Sequence, residues 1–241
     1  NRVLIEKADE NPNTSIYFDH KCLGVDLKNN RLSVQNKNTN QTLDRPSDLI
    51  FGTDGAFSKV RASMLKSQRF NYQQQFIAHG YKELEIPAGK NGAHQLDKNA
   101  LHIWPRSSFM LIALPNLDGS FTVTLFLSYD EGEYNFNNLT TPEVVTEFFQ
   151  KEFPDALAIM PNLVDDFFAN PTAALGTVKC SPWHYKGNTL LMGDSAHAIV
   201  PFYGQGMNAS FEDVVEFDKF LEEDKDWENI FKAFENSRKK D

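Results

Sequence analysis

Cysteine is almost missing from this chain: two in 241 residues, Cys22 and Cys180. That is too few for a disulfide framework and fits a reducing compartment. Basic charge is also in deficit, with 24 Lys and Arg against 33 Asp and Glu and a formal net charge of -9. A phosphate backbone demands a basic face, so nucleic acid is excluded as the main partner. No apolar run approaches the ~20 residues that span a bilayer, and Asn1-Arg2-Val3-Leu4-Ile5 lacks the layout of a secretory signal. There is no Gly-x-Ser-x-Gly elbow of the serine hydrolase kind. The six histidines are scattered, with no second cluster of His, Cys or carboxylates at ligand spacing, which argues against a metal centre. Internal repeats and low-complexity tails are absent as well.

What remains is a globular composition, 41% hydrophobic, with 20 Phe far ahead of 7 Tyr and 3 Trp. The length suits one large domain or two small ones with a Phe-heavy interior. Val3, Leu4 and Ala8 share one side of a helix with no capping residue in front. The chain is therefore expected to begin inside a domain, with sequence upstream.

Residues 15–18 and 23–26 read as short strands, and Asn29-Asn30 turns the chain into an alternating arm at 31–35. After a polar loop at 36–41, a buried-strand pattern over 48–52 ends in Thr53-Asp54-Gly55 and gives way to a helix over 57–65. From about residue 70 the character changes. Strand patterns at 76–86, 100–105, 109–115 and 121–129, with turns at 87–92 and 116–119, predict a mainly antiparallel sheet. In Phe109-Met110-Leu111-Ile112-Ala113-Leu114 both alternating sets are apolar. Both faces of that strand need cover, one from helices and the other from a further layer or an apolar ligand.

Thr141 and Pro142 open a helix whose Val144, Val145, Phe148 and Phe149 form one stripe, and a second helix is expected over 155–169 with a break at Pro161. Strands are expected at 175–180 and 188–193. A helix over 207–222 precedes a last one, where Trp227, Ile230, Phe231 and Phe234 repeat at i, i+3, i+4, i+7.

Chemistry concentrates in Gly-Asp-Ser-Ala-His-Ala-Ile-Val-Pro-Phe-Tyr-Gly-Gln-Gly-Met-Asn, residues 193–208. Asp194, Ser195 and His197 have the side chains of a hydrolase triad, but neighbours in one short stretch do not converge as triad members must. The pattern fits a cofactor cradle better. A buried strand delivers Asp194 at its carboxyl edge, where open α/β sheets bind ligands. Gly204-Gln205-Gly206 then lets backbone approach closely, and a helix begins whose free N–H groups and positive dipole end favour an anion. A flavin ring or a phosphate meets that description; so does a plain glycine turn with a capping Asp.

This stretch resembles the second flavin motif of the single-component FAD-dependent aromatic hydroxylases. Thr53-Asp54-Gly55-Ala56-Phe57-Ser58-Lys59-Val60-Arg61 resembles that family's other internal motif, Asp-Gly-x-x-Ser-x-Val-Arg. Within the family, His79-Gly80-Tyr81, Leu101-His102-Ile103-Trp104-Pro105-Arg106, Pro154-Asp155-Ala156 and 201–208 are similar to its kynurenine-hydroxylating branch. The likeness covers essentially the whole chain. It does not supply the first strand-turn-helix with Gly-x-Gly-x-x-Gly, the upstream Arg and Tyr that grip the substrate carboxylate, or the C-terminal membrane-tying helices of eukaryotic members.

The resemblance implies an α/β fold: a Rossmann-like FAD-binding domain, incomplete at its N-terminus, formed by 1–66 and 176–225. An inserted, mainly antiparallel substrate sheet with covering helices occupies 67–175, and 226–241 starts a C-terminal helical region. It implies that NADPH reduces FAD, that the reduced flavin captures O2 as a C4a-hydroperoxide, and that L-kynurenine is hydroxylated to 3-hydroxykynurenine. Another aromatic acid of the salicylate or benzoate type is the alternative substrate, and a non-catalytic flavin-binding module is the alternative of another class. No protein side chain need act as catalyst, because the flavin carries the chemistry. The fragment alone is expected to hold FAD poorly. In a eukaryotic source, the expected location is the cytosolic face of the mitochondrial outer membrane, reached only through a C-terminal region outside this chain.

The same resemblance assigns residues. Asp194, with Gly193 before it, bonds FAD hydroxyls near the ribityl chain. Gly206, Met207 and Asn208 bring main-chain N–H groups to the flavin N1–C2 carbonyl edge. Asp54 shapes the turn on the pyrophosphate side, and Cys22 contributes an adenine-side main-chain contact where relatives often carry an aliphatic residue. Lys59 stands where relatives often have Thr, and Arg61 is expected in a structural ion pair. Leu101, Met110, Ile112, Leu114 and Phe126 form an apolar wall for an aniline ring, closed by Pro201, Phe202 and Gln205. Periodicity alone leaves ordinary core as the other reading of that wall.

Overall fold

The polar turn that opens the chain's first hairpin is closed by local side-chain bonds. The Asp26 carboxylate accepts from the main-chain N–H groups of Lys28 and Asn29, and Asn30 takes φ 49°. In the computed structural model, which describes residues 2–67 and 69–239, this turn joins β1 (His20–Asp26) to β2 (Arg31–Asn36). A third strand, β3 (Thr42–Pro46), pairs antiparallel with β2 through Val34 and Leu43. Exposed along its whole length and apolar only at Leu43 and Pro46, β3 has no alternating pattern to betray it. The strand expected at 15–18 does not form: Tyr17 and Phe18 are exposed in an irregular lead into β1.

Two compact units emerge, 1–75 with 177–241, and 76–176. The first holds α1 (Arg2–Asp9), the β1-β2-β3 sheet, β4 (Ile50–Gly52) and α2 (Lys59–Leu65). Ser58 caps α2, its Oγ accepting from Arg61 N at 2.9 Å. The chain leaves this unit along β5 (Asn71–Ile86) and returns along β9 (Thr172–Ser181). It then adds β10 (His184–Tyr185) and β11 (Thr189–Leu191), which pairs parallel with β4. The strand expected to run to Gly193 thus stops two residues earlier. One helical turn, α6 in this chain (Asp194–His197), begins immediately after Gly193. The long α7 (Gly206–Glu223) and α8 (Trp227–Arg238) complete the unit. Ile230, Phe231 and Phe234 of α8 are buried with Leu190, Leu191, Phe217 and Trp183, as the i, i+3, i+4, i+7 spacing demands.

Before β9, the second unit contributes β6 (His102–Pro105), β7 (Met110–Pro115) and β8 (Phe121–Ser128), in a sheet of order β6-β7-β8-β5-β9. Its helices are α3 (Pro142–Glu152), α4 (Pro154–Leu157) and α5 (Leu163–Ala169). Thr141 caps α3 and Pro142 occupies its first turn, while Pro161 falls in the gap between α4 and α5. Register pairs Leu111 with Leu125 and Ala113 with Val123. These inward residues bury against Val145, Phe148, Phe149 and Phe153. The fold is α/β, with β4 and β11 paired parallel and mainly antiparallel sheets. Among the described residues no helix is long and apolar enough to cross a membrane.

Candidate functional site

The two sequence motifs of the first unit follow adjacent parallel strands, β4 and β11. Gly52 ends β4. A Cβ there would lie 2.8–2.9 Å from Leu191 and Val60, so only glycine lets α2 pack this close. Its carbonyl accepts from Met192 N at 3.1 Å and from the Ser195 hydroxyl, which also donates to Met192 O at 2.7 Å. Arg61, buried on α2, donates to Ser195 O at 2.6 Å and to Ala56 O, and stacks 5.0 Å over Tyr72. Among the described residues Arg61 does not make the expected ion pair. Its partners there are main-chain carbonyls and the hydroxyl and ring of Tyr72, because the motif loops turn oxygens, not a carboxylate, toward the guanidinium.

Asp54 spends its carboxylate on α2, accepting from Lys59 N at 2.6 Å and Val60 N at 3.3 Å. Cys22 lies within reach of both motif charges. Burial pushes its thiol up, the Asp54 carboxylate pushes the same way, and Lys59 opposes. Cys22, Asp54 and Lys59 are thus gathered at one place. Cys180 is buried, and its thiol is pushed up to about 12, chiefly by burial, which makes it inert as a nucleophile.

The second motif has the firmer geometry. Gly193 adopts φ 59°, ψ −143°, and a Cβ on it would stand 2.8 Å from Ser210 Oγ on α7. Asp194 follows on the exposed side of α6. No hydrogen bond to a described residue engages its carboxylate, and Oδ1 comes within 3.8 Å of where a Cβ on Gly206 would sit. A 3-10 turn, Pro201–Tyr203, closes with Gly204 in the left-handed region and Gly204 N donating to Pro201 O. Helix α7 then begins with no side-chain cap on its first N–H groups. Met207 is 66% exposed, and Asn208 Nδ2 donates to Gln205 Oε1 at 2.9 Å. An exposed carboxylate and an uncapped helix start therefore stand side by side: an acceptor for hydroxyls next to donors for an electron-rich carbonyl edge.

The triad reading fails on this geometry. Ser195 is committed to carbonyls, and His197 Nε2 meets Asp213 Oδ2 at 2.7 Å. Among the described residues no group of three or more His, Cys, Asp or Glu could hold a metal.

A family profile for the FAD binding domain matches residues 1–224. The chain belongs to the FAD binding domain family. The family's cofactor is FAD, and the donor set fits it: main-chain N–H groups and one free carboxylate, with a glycine that leaves room. Among relatives, the kynurenine 3-monooxygenase of Flavobacterium johnsoniae is 49% identical over 99% of this chain and 53% of its own length. That of Dictyostelium discoideum is 49% identical over 99% of this chain and 54% of its own. The chain thus spans about half the length of the curated relatives it matches. A tetrameric form of 2-methyl-3-hydroxypyridine-5-carboxylic acid oxygenase superposes with a TM-score of 0.75 at 22% identity, over 98% of this chain and 59% of that one, a likeness of fold.

In the second unit, Met110, Ile112 and Leu114 alternate with buried Leu111 and Ala113 and so share the sheet face away from the helices. Register sets Met110 opposite Phe126 and Ile112 opposite exposed Ile103. Leu101, exposed, immediately precedes β6. Phe126 is almost fully buried, its ring 6.3 Å from Tyr81. Two other motifs meet each other: Trp104 Nε1 donates to Asp155 Oδ2 at 2.7 Å, and Arg106 pairs with Glu152 at 3.2 Å. That bond from Trp104 holds the Asp155 carboxyl below the usual range.

Sequence reasoning missed Asp213. It is 0% exposed and accepts from Gly193 N at 2.8 Å, His197 Nε2 at 2.7 Å and Arg238 Nε at 2.9 Å. The signal was available: Asp213 falls on the inward stripe of α7, four residues before buried Phe217 and eight before Leu221. Burial pushes its carboxyl up, but His197, Arg238 and the Gly193 N–H outweigh burial and hold it below its ordinary 3.8. A depressed native pKa adds stability that is present above the unfolded value and lost as pH falls through the native one. Asp213→Asn is therefore expected to destabilise by about 3–5 kcal/mol at neutral pH. The gap to the parent should shrink as pH drops below 3.8. Denaturant unfolding across pH checks this; a gap independent of pH contradicts it.

Proposed function

We propose that this chain is the flavin-holding and substrate-facing part of an NADPH- and O2-dependent aromatic hydroxylase that converts L-kynurenine to 3-hydroxykynurenine. The observation that carries the reading is the pairing of the free Asp194 carboxylate with the uncapped start of α7. The names of the relatives support the substrate: proteins 49% identical across nearly this whole chain are kynurenine 3-monooxygenases.

When bound, FAD supplies the redox chemistry, taking a hydride from NADPH and activating O2. The chain's own residues bind and orient. Asp194 accepts from cofactor hydroxyls near the ribityl chain. Main-chain N–H groups of Met207 and Asn208, opened by Gly206, would donate to the flavin N1–C2 edge, where the helix dipole would also favour negative charge. Gly193 sets the turn that aims Asp194. Asp54 shapes the pyrophosphate-side turn through α2, with Lys59 beside it and the Cys22 main chain on the adenine side. For the substrate ring we assign the sheet-face residues of the second unit, Leu101, Met110, Ile112, Leu114 and Phe126. The ring amine of kynurenine activates its own ortho carbon, so the reading asks for no protein base. In a eukaryotic source it places the protein at the cytosolic face of the mitochondrial outer membrane.

Two outcomes follow for the full-length protein. Purified with FAD, it should oxidise NADPH faster when L-kynurenine is added and not when salicylate is added; stimulation by salicylate alone would move the substrate assignment to a different acid. Asp194→Ala should lose bound flavin while keeping its circular dichroism spectrum, because a buried fold does not depend on an exposed carboxylate. Tight flavin retention with normal turnover would remove Asp194 from the site.

A further inference from the structure

We infer that Asp213 is the positioning residue of the flavin edge, the group that fixes the Gly193-Asp194 turn at a set distance from the start of α7. The inference rests on the reading that the flavin lies at this edge.

Asp213 sits on α7 itself, the helix whose N-terminus offers the donors. By accepting from Gly193 N at 2.8 Å, its carboxylate ties the turn carrying Asp194 to that same helix. His197, at the far end of the single turn α6, brings Nε2 to the same oxygen, Oδ2, at 2.7 Å. Both ends of the Asp194-bearing segment are thus held by one atom. The other oxygen, Oδ1, is held by Arg238 Nε at 2.9 Å, and Arg238 also reaches Glu212 Oε2 at 2.9 Å. That second pair orients the carboxylate from α8. Trp183 lies 5.0 Å from the His197 ring and limits where the imidazole can swing. Gly193 and Ser210 are already in close approach, so the turn cannot slide toward α7 to compensate for a lost bond.

Asp213 is buried and touches no exposed surface, so its effect on a ligand would pass through the backbone it holds. Loss of the clamp would let Asp194 and the α7 N–H groups move independently. A ligand that must meet both would lose affinity, and the environment of a bound flavin ring would change.

The test uses the full-length protein loaded with FAD, and reads FAD affinity from flavin fluorescence, the visible absorption bands of bound flavin, and the melting temperature. Asp213→Asn removes the charge and one acceptor. His197→Ala removes one donor and leaves the Arg238 pair intact, which keeps the test decisive should Asp213→Asn fail to fold. His197→Gln supplies an amide Nε2 of similar reach. Ile230→Ala, a core substitution on α8 away from the clamp, reports what lost stability alone does. The expected result is an FAD Kd raised about tenfold or more in His197→Ala, with shifted flavin bands, and most of the affinity restored in His197→Gln. Ile230→Ala should lower the melting temperature and leave the Kd unchanged. Parental affinity in His197→Ala, no rescue by glutamine, or FAD loss that tracks melting temperature in every variant including Ile230→Ala would overturn the inference. Asp194→Ala in the same assay separates the two levels. If it loses FAD while His197→Ala keeps it, the positioning role alone fails; if it keeps FAD, the flavin is not at this edge.

Discussion

A carboxylate with no exposed surface survives only where its lone pairs are met by donors and its charge by a cation. Asp213 meets both conditions, with donors drawn from three separate segments. The Gly193 N–H comes from the motif turn, the imidazole from the end of α6, and the guanidinium from α8. Burial in this chain thus creates a demand for donors, and satisfying it locks three segments around one helix. The free side of that arrangement is Asp194 and the bare start of α7.

A second set of bonds places that assembly on the sheet. Ser195 donates to the carbonyl ending β4, and Arg61 reaches across from α2 to the Ser195 carbonyl. Each bond to a charged donor of this kind is worth about 1.5–3 kcal/mol. Motif residues that look catalytic in the sequence turn out to be fasteners: Ser195 holds one strand end to another, and His197 holds α6 to α7. Asp194, by contrast, lies exposed, and its carboxylate makes no hydrogen bond to a described residue.

Local features were legible because they depend on neighbours in sequence. Thr141 and Pro142 announce α3, the apolar spacing of Ile230, Phe231 and Phe234 announces α8, and the doubly apolar Met110–Pro115 strand announces a sheet with one face against helices. The two motifs announce strand-to-turn junctions. What escaped depends on partners far along the chain. Asp213 and Arg238 are 25 residues apart, Arg61 and Ser195 are 134 apart, and Ser195 and Gly52 are 143 apart. β3 escaped because an exposed polar edge needs only β2 to exist, and 15–18 misled because an apolar run without a pairing partner is no strand. The buried stripe of α7 was the one overlooked local clue, since an Asp in an inward position demands compensation somewhere.

On the proposed reading, main-chain N–H groups at the start of α7, with Asp194 beside them, receive the flavin. The most direct test is a crystal structure of the full-length protein with FAD. It should show the Met207 and Asn208 amides within hydrogen-bonding distance of the flavin N1–C2 edge and the Asp194 carboxylate on a cofactor hydroxyl. An isoalloxazine ring bound away from α7, or an α7 start covered by side chains while FAD is bound elsewhere, would contradict it.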